Sequence, residues 1–186
     1  EPEAVVARLR ELAEITEEQL GDAVGAFGWL GRALKDAPLD ESLLSELERL
    51  AAATGSWADL TNVYADVVET EGATSAVQTE IGKRLARVHE EELGDLESAE
   101  AAYSFVLGVA PLDPAALEAL DRIYAAAGEA EKLAMVLERR AQIAEDPEAK
   151  TDFTFRLAEL TRNELGQGEG AVRWYRAIVD DIDAQH

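Results

Sequence analysis

Apolar residues along this chain recur at positions i, i+3, i+4 and i+7, with polar residues between them. The sets Leu30/Ala33/Leu34/Ala37, Leu60/Val63/Tyr64/Val67, Tyr103/Val106/Leu107/Ala110 and Tyr175/Ile178/Val179/Ile182 all have this spacing. It places four side chains on one face of an α-helix. Leu117/Leu120/Ile123/Tyr124 forms another such face, and strand-like alternation is absent. Glycines punctuate the stripes at 21, 55, 94, 128 and 166. A glycine suits the left-handed position just past a helix end. Asp22, Ser56 and Asp95 then read as N-caps of the next helix, and Ser56 with Asp59 resembles a capping box. Asp113-Pro114 and Asp146-Pro147 read as N-cap followed by proline in the first turn. Pro38 and Pro111 cannot continue the helices before them. The pattern predicts about ten helices in antiparallel pairs, joined by short loops.

The pattern also repeats. With a shift of 73 residues, 12–69 align on 85–142 without a gap and with 21 identities in 58, including Ala37-Pro38-Leu39-Asp40 on Ala110-Pro111-Leu112-Asp113. Biased composition would give roughly a tenth, so the repeat is genuine. A partial third copy follows at a shift of 72, where Leu157-Ala158, Leu165-Gly166, Ala171 and Tyr175 match Leu85-Ala86, Leu93-Gly94, Ala99 and Tyr103. A smaller unit lies inside each copy, because the glycine steps alternate as 34, 39, 34 and 38.

These residues resemble the tetratricopeptide repeat (TPR) family. Gly94, Asp95, Ala99, Tyr103, Val106-Leu107 and Pro111 carry its order of turn, small residue, aromatic, small-large pair and proline. Gly21, Asp22, Ala26, Leu30, Ala33-Leu34 and Pro38 do the same with leucine for the aromatic, and Tyr124 stands where the family's first helix has a tyrosine. Leu60 and Leu133 depart from the small residue, and two steps are longer than the family's 34. The resemblance implies an all-α, right-handed superhelical solenoid of five repeats, at about 7–40, 41–73, 80–113, 114–147 and 152–186. One array would then cover 1–186. The chain opens at Glu1 rather than Met and stops at His186 after a helical pattern, as a region of a longer protein would.

Composition narrows the function. A net charge of −22 over 186 residues has the wrong sign for a binder of nucleic-acid phosphates or anionic membranes. No apolar run approaches the ~20 residues that cross a bilayer. There is no cysteine, and only His89 and His186 are present, which leaves little for metal or nucleophilic chemistry. No cofactor is expected. His89 lacks a second convergent ligand, Glu90-Glu91-Glu92 reads as a solvated helix face, and the glycine-rich 166–170 segment reads as a turn because no strand precedes it and no lysine follows. Gly25, Gly28 and Gly31 mark one weak helix or a close approach. Trp29 and Trp174 are exposed contacts or half-packed neighbours of the core. Thirteen arginines against four lysines suggest a GC-rich bacterial genome.

In the TPR family the first helix of each pair lines a groove that binds peptides or partner domains. The matching positions here include Arg8, Glu11, Ser45, Arg49, Arg84, Val88, Glu118, Arg122, Arg156, Leu160 and Asn163. Two readings stand side by side for the arginines. As a ladder they would grip the carboxylates of an acidic or C-terminal peptide. As solvation they would pair locally with Glu11, Glu18, Glu91 and Glu118. The function expected is a non-enzymatic protein-interaction scaffold. Its candidate partner-binding residues are Arg8, Arg49, Arg84, Arg122, Arg156 and Asn163. The alternatives are a self-assembling structural segment and a regulatory module of a larger protein.

Overall fold

The computed structural model describes residues 2–183. The side chain of Ile182 and the whole of His186 lie outside what is described. Among the described residues the chain is all-helical. It divides into two compact units, Glu1–Val109 and Ala110–His186, each a stack of antiparallel helix pairs.

The first unit holds three pairs. Helices α1 (Pro2–Glu18) and α2 (Ala23–Asp36), then α3 (Glu41–Thr54) and α4 (Trp57–Val68), then α5 (Ser75–Arg87) and α6 (Leu96–Val109) follow in order. Val88–Glu92 extends α5 as a π-helical turn. Each helix packs on the next, and α2 also touches α4. The second unit holds α7 (Pro114–Ala127), α8 (Ala130–Ile143), α9 (Pro147–Asn163) and α10 (Gly168–Asp183), again packed in sequence.

The stripes form the core. Leu30, Ala33 and Leu34, then Leu60, Tyr64 and Val67, then Tyr103, Val106 and Leu107 are all buried, as are Leu117, Leu120, Ile123 and Tyr124. In α10 the stripe is less covered, with Tyr175 and Ile178 half-buried and Val179 55% exposed. A two-helix unit cannot bury both of its faces, so stability here is a nearest-neighbour sum.

The caps behave largely as the residues dictate. The carboxylates of Asp22, Asp95, Asp113 and Asp146 accept backbone N–H bonds at helix starts. Ser56 is a correction: it stands at the N-cap of α4 but its side chain makes no capping bond. Its oxygen instead accepts the Thr54 hydroxyl at 2.9 Å. Helices α5 and α9 start at Ser75 and Pro147, five residues before the repeat starts expected at 80 and 152. The longer glycine steps are absorbed there as helix, with Thr74 and Asp146 as caps.

First helices end in two ways. After α3 and α7, Gly55 and Gly128 take left-handed φ values of 72° and 70°. Ser56 and Glu129 then donate N–H bonds to the Ala51 and Tyr124 carbonyls, five positions back. This is the Schellman closure. After α1, α5 and α9 the closure is one residue wider, running from Asp22 to Thr16, Asp95 to His89 and Gln167 to Thr161 at 3.0, 2.8 and 3.0 Å. Thr16 and Thr161 also donate their hydroxyls to Leu12 and Leu157 carbonyls. His89, at the matching place in α5, has no hydroxyl to give, and that helix is the one ending in a π turn.

Candidate functional site: the first-helix face

The candidate arginines sit on first helices because the repeat places them there. Arg8, Arg49, Arg84 and Arg156 each pair with acids of the protein itself. Arg8 pairs with Glu11 one turn along α1, with both side chains exposed. Arg49 on α3 reaches back to α1 and binds both oxygens of Glu17, at 2.8 and 2.6 Å. That hydrogen bond, then burial in the opposite sense, sets the Glu17 carboxyl below its ordinary value.

Arg84 on α5 reaches back to α3. It donates to Glu48 at 3.0 Å and to both oxygens of Glu41, and its side chain is only 11% exposed. Burial disfavours its charge, but the hydrogen bond and charge of Glu48 outweigh this and raise its pKa. Glu48 also accepts the hydroxyl of fully buried Tyr64 at 3.0 Å.

In the second unit Arg156 on α9 reaches back to α7 and binds both oxygens of Asp121. Asp121 is 5% exposed and also receives Arg140 from α8. Its hydrogen bond raises the Arg156 pKa. Arg122 is exposed. Asn163 donates to Glu159 at 3.0 Å, beside Arg162 and the Tyr175 hydroxyl, which bond the same carboxylate.

Among the pairs described, Arg8 meets Glu11, as expected, while Arg49, Arg84 and Arg156 meet Glu17, Glu41, Glu48 and Asp121. Val88 and Leu160 are core residues, 6% and 7% exposed. Three of the six candidate residues fall in each unit.

Sequence reasoning missed the receiving groups, although the signal is present. Shifting Glu48 by 73 lands on Asp121, and shifting Arg84 by 72 lands on Arg156. One joint is therefore used twice. An acid on a first helix is held by a donor from the second helix of its own pair and by a guanidinium from the next first helix. The own-pair donor is Tyr64 in one copy and Arg140 in the other.

Between α1 and α3 the face opens into a hollow of about 410 Å³. Glu14, Glu17, Glu18 and Glu46 line it against Arg10 and Arg49. Arg10 is tied to Asp40, the N-cap of α3, and to Ser42 in that helix's first turn. A smaller recess beside Arg84 is lined by Trp57, Arg87, Glu91 and Glu92. Trp29 is half-buried against the core, with Arg32 over its ring at 5.1 Å, and Arg173 covers Trp174 at 4.4 Å. Among the described residues no cluster of metal-ligating side chains occurs, and no helix is long and apolar enough to cross a membrane.

No family model matches the sequence, and no curated protein matches it. Among solved structures, the chain is similar to one titled "MamA RS-1 ArsTM double mutant", with 15% identity and a TM-score of 0.49 over 97% of this chain and 96% of that one.

Proposed function

We propose that this chain is a non-enzymatic scaffold that holds a protein segment against its first helices, with 1–186 acting as one array. The observation that carries the reading is the open polar hollow between α1 and α3. It is walled by long charged side chains on rigid helices, and Arg49 at its edge is half exposed. The resemblance of the repeats to the TPR family supports a peptide or partner domain as the ligand.

The hollow carries four carboxylates against two guanidiniums, and Arg49 is already neutralised by Glu17. A segment with lysine or arginine side chains therefore fits it best, since a buried or rimmed charge is stabilised by its opposite. A second reading keeps the acidic partner. Arg49 is 54% exposed at its side chain, and a ligand carboxylate that displaced Glu17 would take over its bidentate bond.

Binding of basic and acidic peptide libraries at low and high salt tests both. The basic reading expects Lys/Arg-rich peptides to bind, to be lost in Glu46→Lys, and to be retained in Arg49→Glu. Acidic peptides that bind the unmodified chain and are lost in Arg49→Glu would establish the second reading instead. Binding that neither substitution alters would remove this face as the site.

A further inference from the structure

We infer that the recess between α3 and α5 takes an arginine side chain of the bound segment, stacked on the ring of Trp57 with its guanidinium toward Glu91 and Glu92. This rests on the basic reading above and adds a second contact to it, on the other flank of α3.

A difference among the three tryptophans carries the inference. Arg32 lies 5.1 Å from the ring centre of Trp29, and Arg173 lies 4.4 Å from that of Trp174. Among the described residues, no cation of the chain lies over Trp57. Trp57 is half-buried against the core, which fixes its ring, and it walls a recess of about 120 Å³. Val88, 6% exposed, forms another part of the lining. That space holds one side chain and not a helix. Helix α2 packs on α3 and α6 packs on α5, so the recess does not sit at either end of its unit.

The charges of the recess favour a cation. Three carboxylates, Glu48, Glu91 and Glu92, line it with two guanidiniums, Arg84 and Arg87. Arg84 and Glu48 are already paired at 3.0 Å, and Glu48 also holds the Tyr64 hydroxyl. Exposed Arg87 is left against exposed Glu91 and Glu92, so one further positive charge balances the set. The alkyl stem of an arginine covers Val88, and its flat guanidinium stacks on the indole while its N–H groups reach the carboxylates. Lysine brings the same charge without the planar fork, so the recess selects arginine.

Helix α3 separates this recess from the hollow against α1. Its Ser45 and Ala52 are exposed and seven residues apart, which makes a low ridge on one face. A helix with its side chains is about 10–12 Å across, and an extended chain advances ~3.3 Å per residue. A segment that crosses the ridge therefore fills both depressions with basic residues about three or four apart.

The test uses short glycine-serine peptides that carry two basic residues at that spacing, as Arg/Arg, Arg/Lys, Lys/Arg and Lys/Lys. Binding is measured by calorimetry at low salt. The unmodified chain is expected to bind Arg/Arg tightest and to lose about three- to tenfold when the arginine seated on Trp57 becomes lysine. Trp57→Leu, checked for helicity by circular dichroism, is expected to bind Arg/Arg and Lys/Lys alike. Glu91→Gln/Glu92→Gln changes two exposed positions and leaves the core intact. It is expected to weaken the Arg/Arg peptide more than the Lys/Lys peptide. Suppose basic peptides bind and are lost in Glu46→Lys, but arginine and lysine are not distinguished, or are distinguished equally in Trp57→Leu. The hollow then stands and this inference is overturned. It is overturned too if the glutamine variant weakens both peptides alike. Absence of binding by every basic peptide would overturn it together with the reading on which it rests.

Discussion

Arg156 clasps Asp121, 35 residues before it, through two hydrogen bonds of 2.7 and 3.0 Å. Arg84 meets Glu48 across 36 residues at the matching place one copy of the long repeat earlier, through a single bond of 3.0 Å. Asp121 is the more buried acid, at 5% exposure, and it serves two guanidiniums. Replacing it with asparagine leaves Arg140 and Arg156 facing a neutral amide. A fully buried broken pair loses about 3–5 kcal/mol. Arg140 and Arg156 retain 21% and 38% exposure, and water screens them. We expect Asp121→Asn to cost about 2 kcal/mol in urea unfolding, with an unchanged denaturant slope. A loss within ~0.5 kcal/mol would mean that the joint is ornamental.

Tyr64 sets a limit on the alkaline side. Burial first, and then the charge and hydrogen bond of Glu48, push its phenol far above the ordinary range. In the unfolded chain that proton leaves near pH ~10. The folded chain keeps it, so the stabilisation is complete below pH ~10 and is lost as pH rises beyond it. The melting temperature of the unmodified chain is expected to fall more steeply above pH ~10 than that of Tyr64→Phe. The variant starts lower at neutral pH, by about 1 kcal/mol, because Glu48 loses a donor. Parallel curves would place the alkaline limit elsewhere.

Two glycines in helix interiors should respond with opposite signs. A Cβ on Gly28 meets nothing within 4 Å, so Gly28→Ala gains helix propensity of about 0.5–1 kcal/mol. A Cβ on Gly82 would lie 2.8 Å from Cγ2 of Val106, where α5 and α6 pack closely. Gly82→Ala is expected to cost about 1–3 kcal/mol from overpacking. Thermal melts of the two variants check the contrast, and equal shifts would count against the α5–α6 packing.

The helices were legible because their signals are local. Each of the five expected turn glycines has a positive φ, and Asp113-Pro114 and Asp146-Pro147 start helices as their chemistry requires. The arginine partners were harder to read. Arg84 and Glu48 look unrelated along the chain, and only the repeat shift shows that they recur as Arg156 and Asp121. Glu18 is among the acids expected for the arginines as a group, with no partner assigned to Arg49. In the folded chain Glu17 is the neighbour that binds it. The π turn at Val88–Glu92 was illegible for another reason. It coincides with one substitution, His89 for the threonine of Thr16 and Thr161, in a pattern whose spacing is otherwise unchanged.

The two kinds of first-helix ending have a consequence for how this chain tolerates rearrangement. A wide closure at Thr16, His89 and Thr161 alternates with a narrow one at Ala51 and Tyr124. Cutting out one helix pair would splice a wide joint where a narrow one belongs, and the following helix would emerge out of phase with its neighbour. Removing or duplicating two adjacent pairs together keeps every joint with its proper mate. The unit of insertion and deletion that keeps every closure matched in this protein is therefore the four-helix block and not the hairpin.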